Sequence, residues 1–265
     1  MISFSEIKRK AQELSENFIF GYPEPINIYG IARSYFNFRI SEAYLPSCSA
    51  RLIYCNENGL IVINENEKYE GRKRFAIAHE IGHYLLHFSN DNYIKNCNND
   101  DLDNWHLKGN NIEIEANCFA SELLLPSKFV EIDCNKKINF EVIQNLAKKF
   151  KTSLTATAYK CVEVSEDKPC ALVFSKDGII KWFKFSVDLE EHHEKFFIKS
   201  HSELYSATEA YKFFRNQKYE TFKTTYVSCW FSNKNIDDEY YIEEHTFVMN
   251  NLNAVLTLLV LGDYS

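Results

Sequence analysis

The feature that most restricts the fold is the pentapeptide His79-Glu80-Ile81-Gly82-His83. It lies within residues 70–88, where apolar residues recur at helical spacing. In a helix His79 and His83, four positions apart, lie on one face, so both imidazoles can bind one divalent ion. Glu80 is turned by about 100° from His79, which keeps its carboxylate beside the ion without binding it. The pattern predicts a metal site with Glu80 as general base toward a water molecule, although two surface histidines on a helix would look similar.

A third protein ligand has to come from another segment, because a catalytic zinc site holds three protein ligands and one open position. The helix predicted at 111–124 carries Glu113 and Asn117 on one face. A carboxylate from this face could complete a His-His-Glu site, and Asn117 could hydrogen-bond a ring nitrogen of a ligand histidine. Surface charge is the usual role of helix glutamates such as Glu113, Glu115 and Glu122, so both interpretations stay open at this point.

Several single residues near the motif have two possible roles. Gly82 costs about 1 kcal/mol in a helix interior, which predicts close approach of another backbone or of substrate. His87 could face the site, but capping of helix carbonyls is the favoured interpretation. His106 could stabilise an oxyanion, yet a solvated loop residue is the simpler reading. His192 and His193 are interpreted as part of a charged surface loop.

The net charge of −7 and the pI of about 5.7 exclude a basic nucleic-acid footprint for the chain as a whole. Residues 139–163 resemble a helix-turn-helix in outline, but the second of these helices is too poor in basic residues to read DNA. No direct nucleic-acid binding is therefore expected.

The sequence contains no predicted export signal or membrane span, since the longest apolar run covers only residues 254–261. We expect a cytoplasmic protein without membrane association. The eight cysteines include no CxxC pair, so reduced thiols are expected, with neither disulfides nor a cysteine metal site.

Hydrophobic periodicity divides the chain near residue 165, where a polar segment containing Pro169 separates two patterns. Helices are predicted before it at 4–17, 26–36, 70–88, 111–124, 139–150 and 153–163, with strands at 50–55 and 60–64. Strands predominate after it, at 171–175, 179–186, 224–231, 240–248 and 254–261. The predicted fold is α+β, with a metallopeptidase-like domain at 1–165 and a smaller mixed α/β module at 166–265 that has a possible sensing or substrate-docking role.

Two sequence blocks, 74–87 and 113–126, resemble the ImmA/IrrE family of metallo-endopeptidases, in the order found in that family. The resemblance implies a zincin-like, gluzincin-type protease domain. By matching positions it implies that His79, His83 and Glu113 are zinc ligands and that Glu80 is the catalytic glutamate. Members of the family are cytoplasmic bacterial or phage-encoded proteins, and characterised ones cleave a helix-turn-helix repressor.

The hypothesis from the sequence is a zinc-dependent endopeptidase whose partner is a protein substrate. Its cleavage of a regulatory protein, expected to be a helix-turn-helix repressor, would derepress mobile-element or stress genes. The alternative is a non-catalytic, metal-stabilised protein that sequesters a repressor or an antitoxin. The same nitrogen and oxygen ligands accept Mn²⁺ or Fe²⁺ as well as Zn²⁺.

Overall fold

The structure is a computed structural model, and it describes residues 2–18, 24–46, 48–55, 58–88, 92–94, 111–166, 168–191, 196–231 and 240–262. The chain divides into two compact units. The first comprises Met1–Phe129 with Leu146–Ala156, and the second comprises Val130–Asn145 with Thr157–Ser265. The domain boundary expected at 165 stays a prediction.

The first unit combines helices with a small sheet. Its elements are α1 (Phe4–Glu16), α2 (Ile28–Ser34), β1 (Phe38–Ala43), β2 (Ala50–Cys55), β3 (Asn58–Asn64), α3 (Glu70–His87), β4 (Asn92–Ile94) and α4 (Asn111–Leu124). Three further helices contain residues of both units: α5 (Ser127–Cys134), α6 (Phe140–Phe150) and α7 (Leu154–Glu163).

The sheet of the first unit has the strand order β1-β3-β2-β4. Strand β1 runs parallel to β3, and the other neighbours are antiparallel. Helix α3 packs against α4 and against β2 and β3, while α1 packs on α4. The shared core is built from buried aliphatic residues and two phenylalanines, Phe38 and Phe119. This packing holds α3 and α4 side by side, which positions the motif.

The second unit is built on an antiparallel five-stranded sheet with the order β6-β5-β9-β8-β7. Its elements are β5 (Cys170–Lys176), β6 (Ile179–Phe185), α8 (Val187–Glu191), α9 (Glu209–Phe214), β7 (Phe222–Tyr226), β8 (Tyr241–Met249) and β9 (Ala254–Leu261). Phe185, Phe196, Trp230 and Phe231 are buried in its core. The mixed α+β fold with a small, sheet-rich C-terminal module confirms the predicted fold class.

The sequence did not predict strands β1 and β4 or helices α5, α8 and α9. The strand predicted over 224–231 ends at Tyr226. The chain turns there because the N–H groups of Trp230 and Phe231 both donate to the carbonyl of Val227, which closes a 3₁₀ turn.

The seven described cysteines form no disulfide, and Cys97 lies outside the described residues. None of the helices in the described part of the chain has the length and apolar character needed to cross a membrane. The cytoplasmic location stays a prediction.

Candidate metal centre

The centre lies where α3 and α4 approach each other most closely. A Cβ atom placed on Gly82 would lie 3.1 Å from Phe119 Cδ1 and 3.3 Å from the carbonyl oxygen of Ala116. A side chain at position 82 would therefore require Phe119 or the backbone of Ala116 to shift by a few tenths of an ångström. The close backbone approach predicted for Gly82 is confirmed.

This packing brings three donor atoms from α3 and α4 together. His79 Nε2 lies 2.9 Å from His83 Nε2. Glu113 Oε2 lies 3.1 Å from His79 Nε2 and 3.2 Å from His83 Nε2. All three residues are buried, with Glu113 only 6% exposed. Among the described residues they form the one group of three such side chains whose ligand atoms lie within 4.8 Å of one another.

The donor set fits a divalent ion. Ligand bonds of about 2.0–2.1 Å in a tetrahedron place donor atoms about 3.3 Å apart, close to the separations of His79, His83 and Glu113. Asn117 Oδ1 lies 2.8 Å from His79 Nδ1. Because an amide oxygen accepts, we assign the ring proton to Nδ1, which leaves the Nε2 lone pair facing the other two donors. Converging lone pairs in a buried position repel one another unless a proton or a metal ion lies between them.

The charge state of Glu113 suits a ligand. Burial alone would raise the pKa of its carboxyl, but in the metal-free protein hydrogen bonds donated by the imidazoles of His79 and His83, whose protons a bound ion would replace, outweigh burial. They hold the pKa of Glu113 well below its ordinary value, so the side chain is an anion at neutral pH. A divalent ion would find one negative and two neutral donors here.

Glu80 follows His79 on α3 and is completely buried. Both of its carboxylate oxygens are shielded from solvent. Because Glu80 directly follows His79 on the helix, its side chain projects about 100° away from the ligand row His79–His83.

Residues 33–162 match the model of the Peptidase_M78 family, described as the IrrE N-terminal-like domain. The match covers the helices that carry all three donor residues and Glu80. The chain contains a domain of the ImmA/IrrE family of metallopeptidases. The family and the buried His-His-Glu group together indicate a bound metal ion.

Two individual proteins extend this similarity. The chain is 38% identical over 72 residues to metallopeptidase ImmA of Bacillus subtilis (strain 168), which covers 27% of this chain and 37% of that protein. The chain thus aligns with little more than a third of this curated ImmA/IrrE relative. A solved structure titled Mycobacterium tuberculosis transcriptional regulator matches 97% of this chain and 76% of its own, with a TM-score of 0.57 and 14% identity. At this identity it supports the fold alone.

The contacts of His87 and Glu115 near the donor group were not recognised from the sequence. His87 was expected to cap the helix end, and this is wrong, because its ring contacts His83 and Glu115 instead. The spacing of His79, His83 and His87, four residues each, was the signal for this row. Glu113, Glu115 and Glu122 are 6%, 4% and 0% exposed, so the alternative interpretation of these residues as surface charges is wrong.

The remaining histidines fall elsewhere. His245 lies in the second unit, 3.0 Å from Glu243 Oε2, and does not belong to the donor group. His106, His192 and His193 lie outside the described residues.

Proposed function

We propose that this chain is a cytoplasmic, zinc-dependent endopeptidase that cleaves a regulatory protein of the helix-turn-helix repressor type. Loss of the repressor would derepress mobile-element or stress genes. One observation carries the proposal: two imidazole nitrogens and a carboxylate oxygen lie 2.9–3.2 Å apart in a buried position, one residue from a second buried carboxylate.

His79, His83 and Glu113 would hold the ion. Two histidines and one glutamate form a donor set typical of catalytic zinc in peptidases, and three protein ligands leave one position open. The ion supplies Lewis acidity, which makes a water molecule more acidic and polarises the carbonyl of the scissile bond. Asn117 keeps the ring of His79 in the tautomer that can bind the ion.

Glu80 would move the proton of the reaction. Its carboxylate accepts a proton from the attacking water, whose oxygen forms the new bond to the carbonyl carbon. The same proton then passes to the amine nitrogen as the carbon–nitrogen bond breaks. Burial of Glu80 favours this role, because a carboxylate removed from bulk water exchanges protons with the substrate rather than with solvent.

The substrate class is inferred from the family. Characterised ImmA/IrrE peptidases act on helix-turn-helix repressors, and the acidic balance of this chain favours a protein partner over nucleic acid. A helix-turn-helix repressor encoded near the gene would be the first candidate to test.

The decisive experiment incubates the purified protein with this repressor, with and without added Zn²⁺ and with a chelator. We expect fragments that depend on Zn²⁺ and disappear with the chelator. Glu80→Gln should keep the metal, measured by elemental analysis, and lose cleavage by a factor of about 10² or more. Glu141→Gln, an exposed glutamate on α6, is the matched control and should cleave normally.

Three other outcomes would contradict parts of the proposal. A stable complex without fragments in the presence of Zn²⁺ would indicate sequestration of the repressor instead of proteolysis. Cleavage by Glu80→Gln at the normal rate would remove Glu80 from the mechanism. If Mn²⁺ or Fe²⁺ restores activity and Zn²⁺ does not, the catalytic metal is one of those ions and not zinc.

A further inference from the structure

We propose that His87 and Glu115 form a hydrogen-bonded relay that positions His83 and strengthens it as a metal ligand. The inference rests on the metal site of the proposed function. It adds two residues that touch neither the ion nor a substrate, so both are positioning residues. The relay connects a ligand on α3 with a carboxylate on α4.

The contacts run in one line away from the centre. His83 Nδ1 lies 3.0 Å from His87 Nδ1. His87 Nε2 lies 2.9 Å from Glu115 Oε2. The other oxygen of this carboxylate, Oε1, accepts a hydrogen bond of 3.1 Å from the backbone N–H of Ile2. Each ring nitrogen thus has a partner at hydrogen-bond distance.

Only one assignment of protons satisfies this line when His83 binds an ion through Nε2. The lone pair of Nε2 faces the ion, so the ring proton of His83 is on Nδ1 and is donated to His87 Nδ1. The proton of His87 is then on Nε2 and is donated to Glu115, whose carboxylate can only accept. Because the carboxylate of Glu115 can only accept, it fixes the tautomer of His87 and, through His87, the tautomer of His83.

Burial makes these hydrogen bonds effective. The side chains of His83, His87 and Glu115 are 0%, 10% and 6% exposed. Hydrogen bonds that end on a charged group are stronger than neutral ones, and a chain of them in a poorly solvated region is mutually reinforcing.

The two ligand histidines therefore donate their ring protons to different kinds of acceptor. His79 donates to the neutral amide oxygen of Asn117. His83 donates through His87 to the carboxylate of Glu115. A carboxylate behind a ligand imidazole fixes the orientation of the ring and increases its electron donation to the metal, and loss of such a partner lowers metal affinity about 10- to 100-fold. The relay predicts an effect in this range from residues that do not bind the ion.

The test measures Zn²⁺ affinity by competition with a chromophoric chelator, at fixed pH and on the full chain. His87→Leu and Glu115→Gln should each lower the affinity about 10- to 100-fold. His87→Gln should recover most of the loss, because its amide can accept from His83 and donate to Glu115. In the double variant His87→Leu/Glu115→Gln the second change should add less than twofold, since the line is already broken.

A second readout separates positioning from general stability. The visible absorption of the Co²⁺-substituted protein should shift in His87→Leu and Glu115→Gln, because the bands report on ligand geometry and donor strength. Unfolding of the metal-free proteins by urea reports on stability alone. The matched controls are His245→Leu and Glu243→Gln, a histidine–carboxylate pair 3.0 Å apart in the second unit, which should leave Zn²⁺ affinity and the Co²⁺ spectrum unchanged.

Unchanged Zn²⁺ affinity and an unchanged Co²⁺ spectrum in folded His87→Leu would overturn the relay, as would fully additive losses in the double variant. Failure of the proposed site looks different: the wild-type protein would bind no stoichiometric Zn²⁺, or His83→Ala would bind it normally. The two ideas therefore fail separately.

Discussion

Phe119 on α4 occupies the space that a side chain at position 82 of α3 would need. A Cβ atom added to Gly82 would lie 3.1 Å from Cδ1 and 3.3 Å from Cβ of Phe119. Phe119 is fully buried and belongs to the core of the first unit, so it cannot move aside without disturbing its neighbours. Since Gly82 directly precedes His83, this contact links core packing to the geometry of the donor group.

Gly82→Ala should therefore destabilise the protein although alanine is the better helix former. Overpacking costs about 1–3 kcal/mol, and the gain in helix propensity offsets about 1 kcal/mol of this. We expect a net loss of about 1 kcal/mol in urea unfolding of the metal-free protein, together with weaker Zn²⁺ binding. Gly262→Ala is the control, because the nearest atom to its added Cβ, Tyr240 Oη, is 3.8 Å away. An increase in stability for Gly82→Ala would show that the helices adapt.

Asn117 should control how well His79 binds the metal, through the hydrogen bond of 2.8 Å to its Nδ1. Asn117→Ala removes the acceptor and should lower Zn²⁺ affinity about 10- to 100-fold. Asn117→Asp retains an acceptor oxygen and should bind Zn²⁺ more tightly than Asn117→Ala, as measured by chelator competition. The exposed Asn66 provides the control Asn66→Ala. Equal affinities for the Ala and Asp variants would mean that the hydrogen bond does not orient the ring.

The ligand-bearing helices could be predicted from the sequence because their signals are local. His79 and His83 repeat at the helical spacing, and Glu113 has the same spacing to Asn117. The convergence of the two helices depends on packing at Gly82, and the sequence suggested only that something approaches there. Family resemblance, rather than periodicity, connected Glu113 to the histidines.

The wrong predictions concern contacts between residues that are far apart in the sequence. The partner of His87 is Glu115, 28 residues further along the chain, whereas a capping interpretation considers only neighbouring carbonyls. In strand β1 (Phe38–Ala43) only Phe38 and Ile40 alternate as apolar residues, which is too short a pattern to predict a strand. It forms because its backbone pairs with β3 from Gly59 onwards, a long-range contact that leaves no local signature.

Glu122 should be important for stability rather than for metal binding. Its completely buried carboxylate accepts hydrogen bonds from Gln12 Nε2, from the backbone N–H of Ser127 and from Ser127 Oγ. Glu122→Ala leaves these donors without their acceptor and should reduce the free energy of unfolding by about 2–3 kcal/mol. Glu16→Ala removes an exposed pair with Lys128 and should cost less than about 1 kcal/mol. A loss of similar size in both variants would contradict the buried role, as judged by urea unfolding.

Bound metal should stabilise the protein, because the three donors belong to two different helices. Saturation at 100 to 1,000 times the dissociation constant contributes about 3–4 kcal/mol. We expect the melting temperature to fall when a chelator removes the metal and to recover with Zn²⁺. Glu113→Ala should melt at the same temperature with and without Zn²⁺. A metal-induced shift that survives in Glu113→Ala would place the ion elsewhere.

The second unit contains a carboxylate whose charge stabilises its fold. Glu209 is buried, with Oε1 2.6 Å from Lys212 Nζ and 3.2 Å from Lys223 Nζ, and with Oε2 accepting from the backbone N–H of Glu220 at 2.8 Å. Burial alone would raise the pKa of Glu209, but the hydrogen bonds from Lys212, from the N–H of Glu220 and from Lys223 outweigh it and lower the pKa below the ordinary value.

A lowered pKa fixes the sign of the pH dependence. The folded protein binds fewer protons at Glu209 than the unfolded chain, so its contribution is complete above the unfolded pKa of about 4.3. It is lost as the pH falls through the lower folded value. Glu209→Gln should therefore be less stable than wild type at pH 7, and the difference should shrink below about pH 4. Urea unfolding at pH 7, 5 and 3 measures this.

Glu190→Gln, which removes an exposed pair with Lys184, should show a small difference at every pH. A constant difference for Glu209→Gln would mean that shape and hydrogen bonding, rather than charge, account for the role of Glu209.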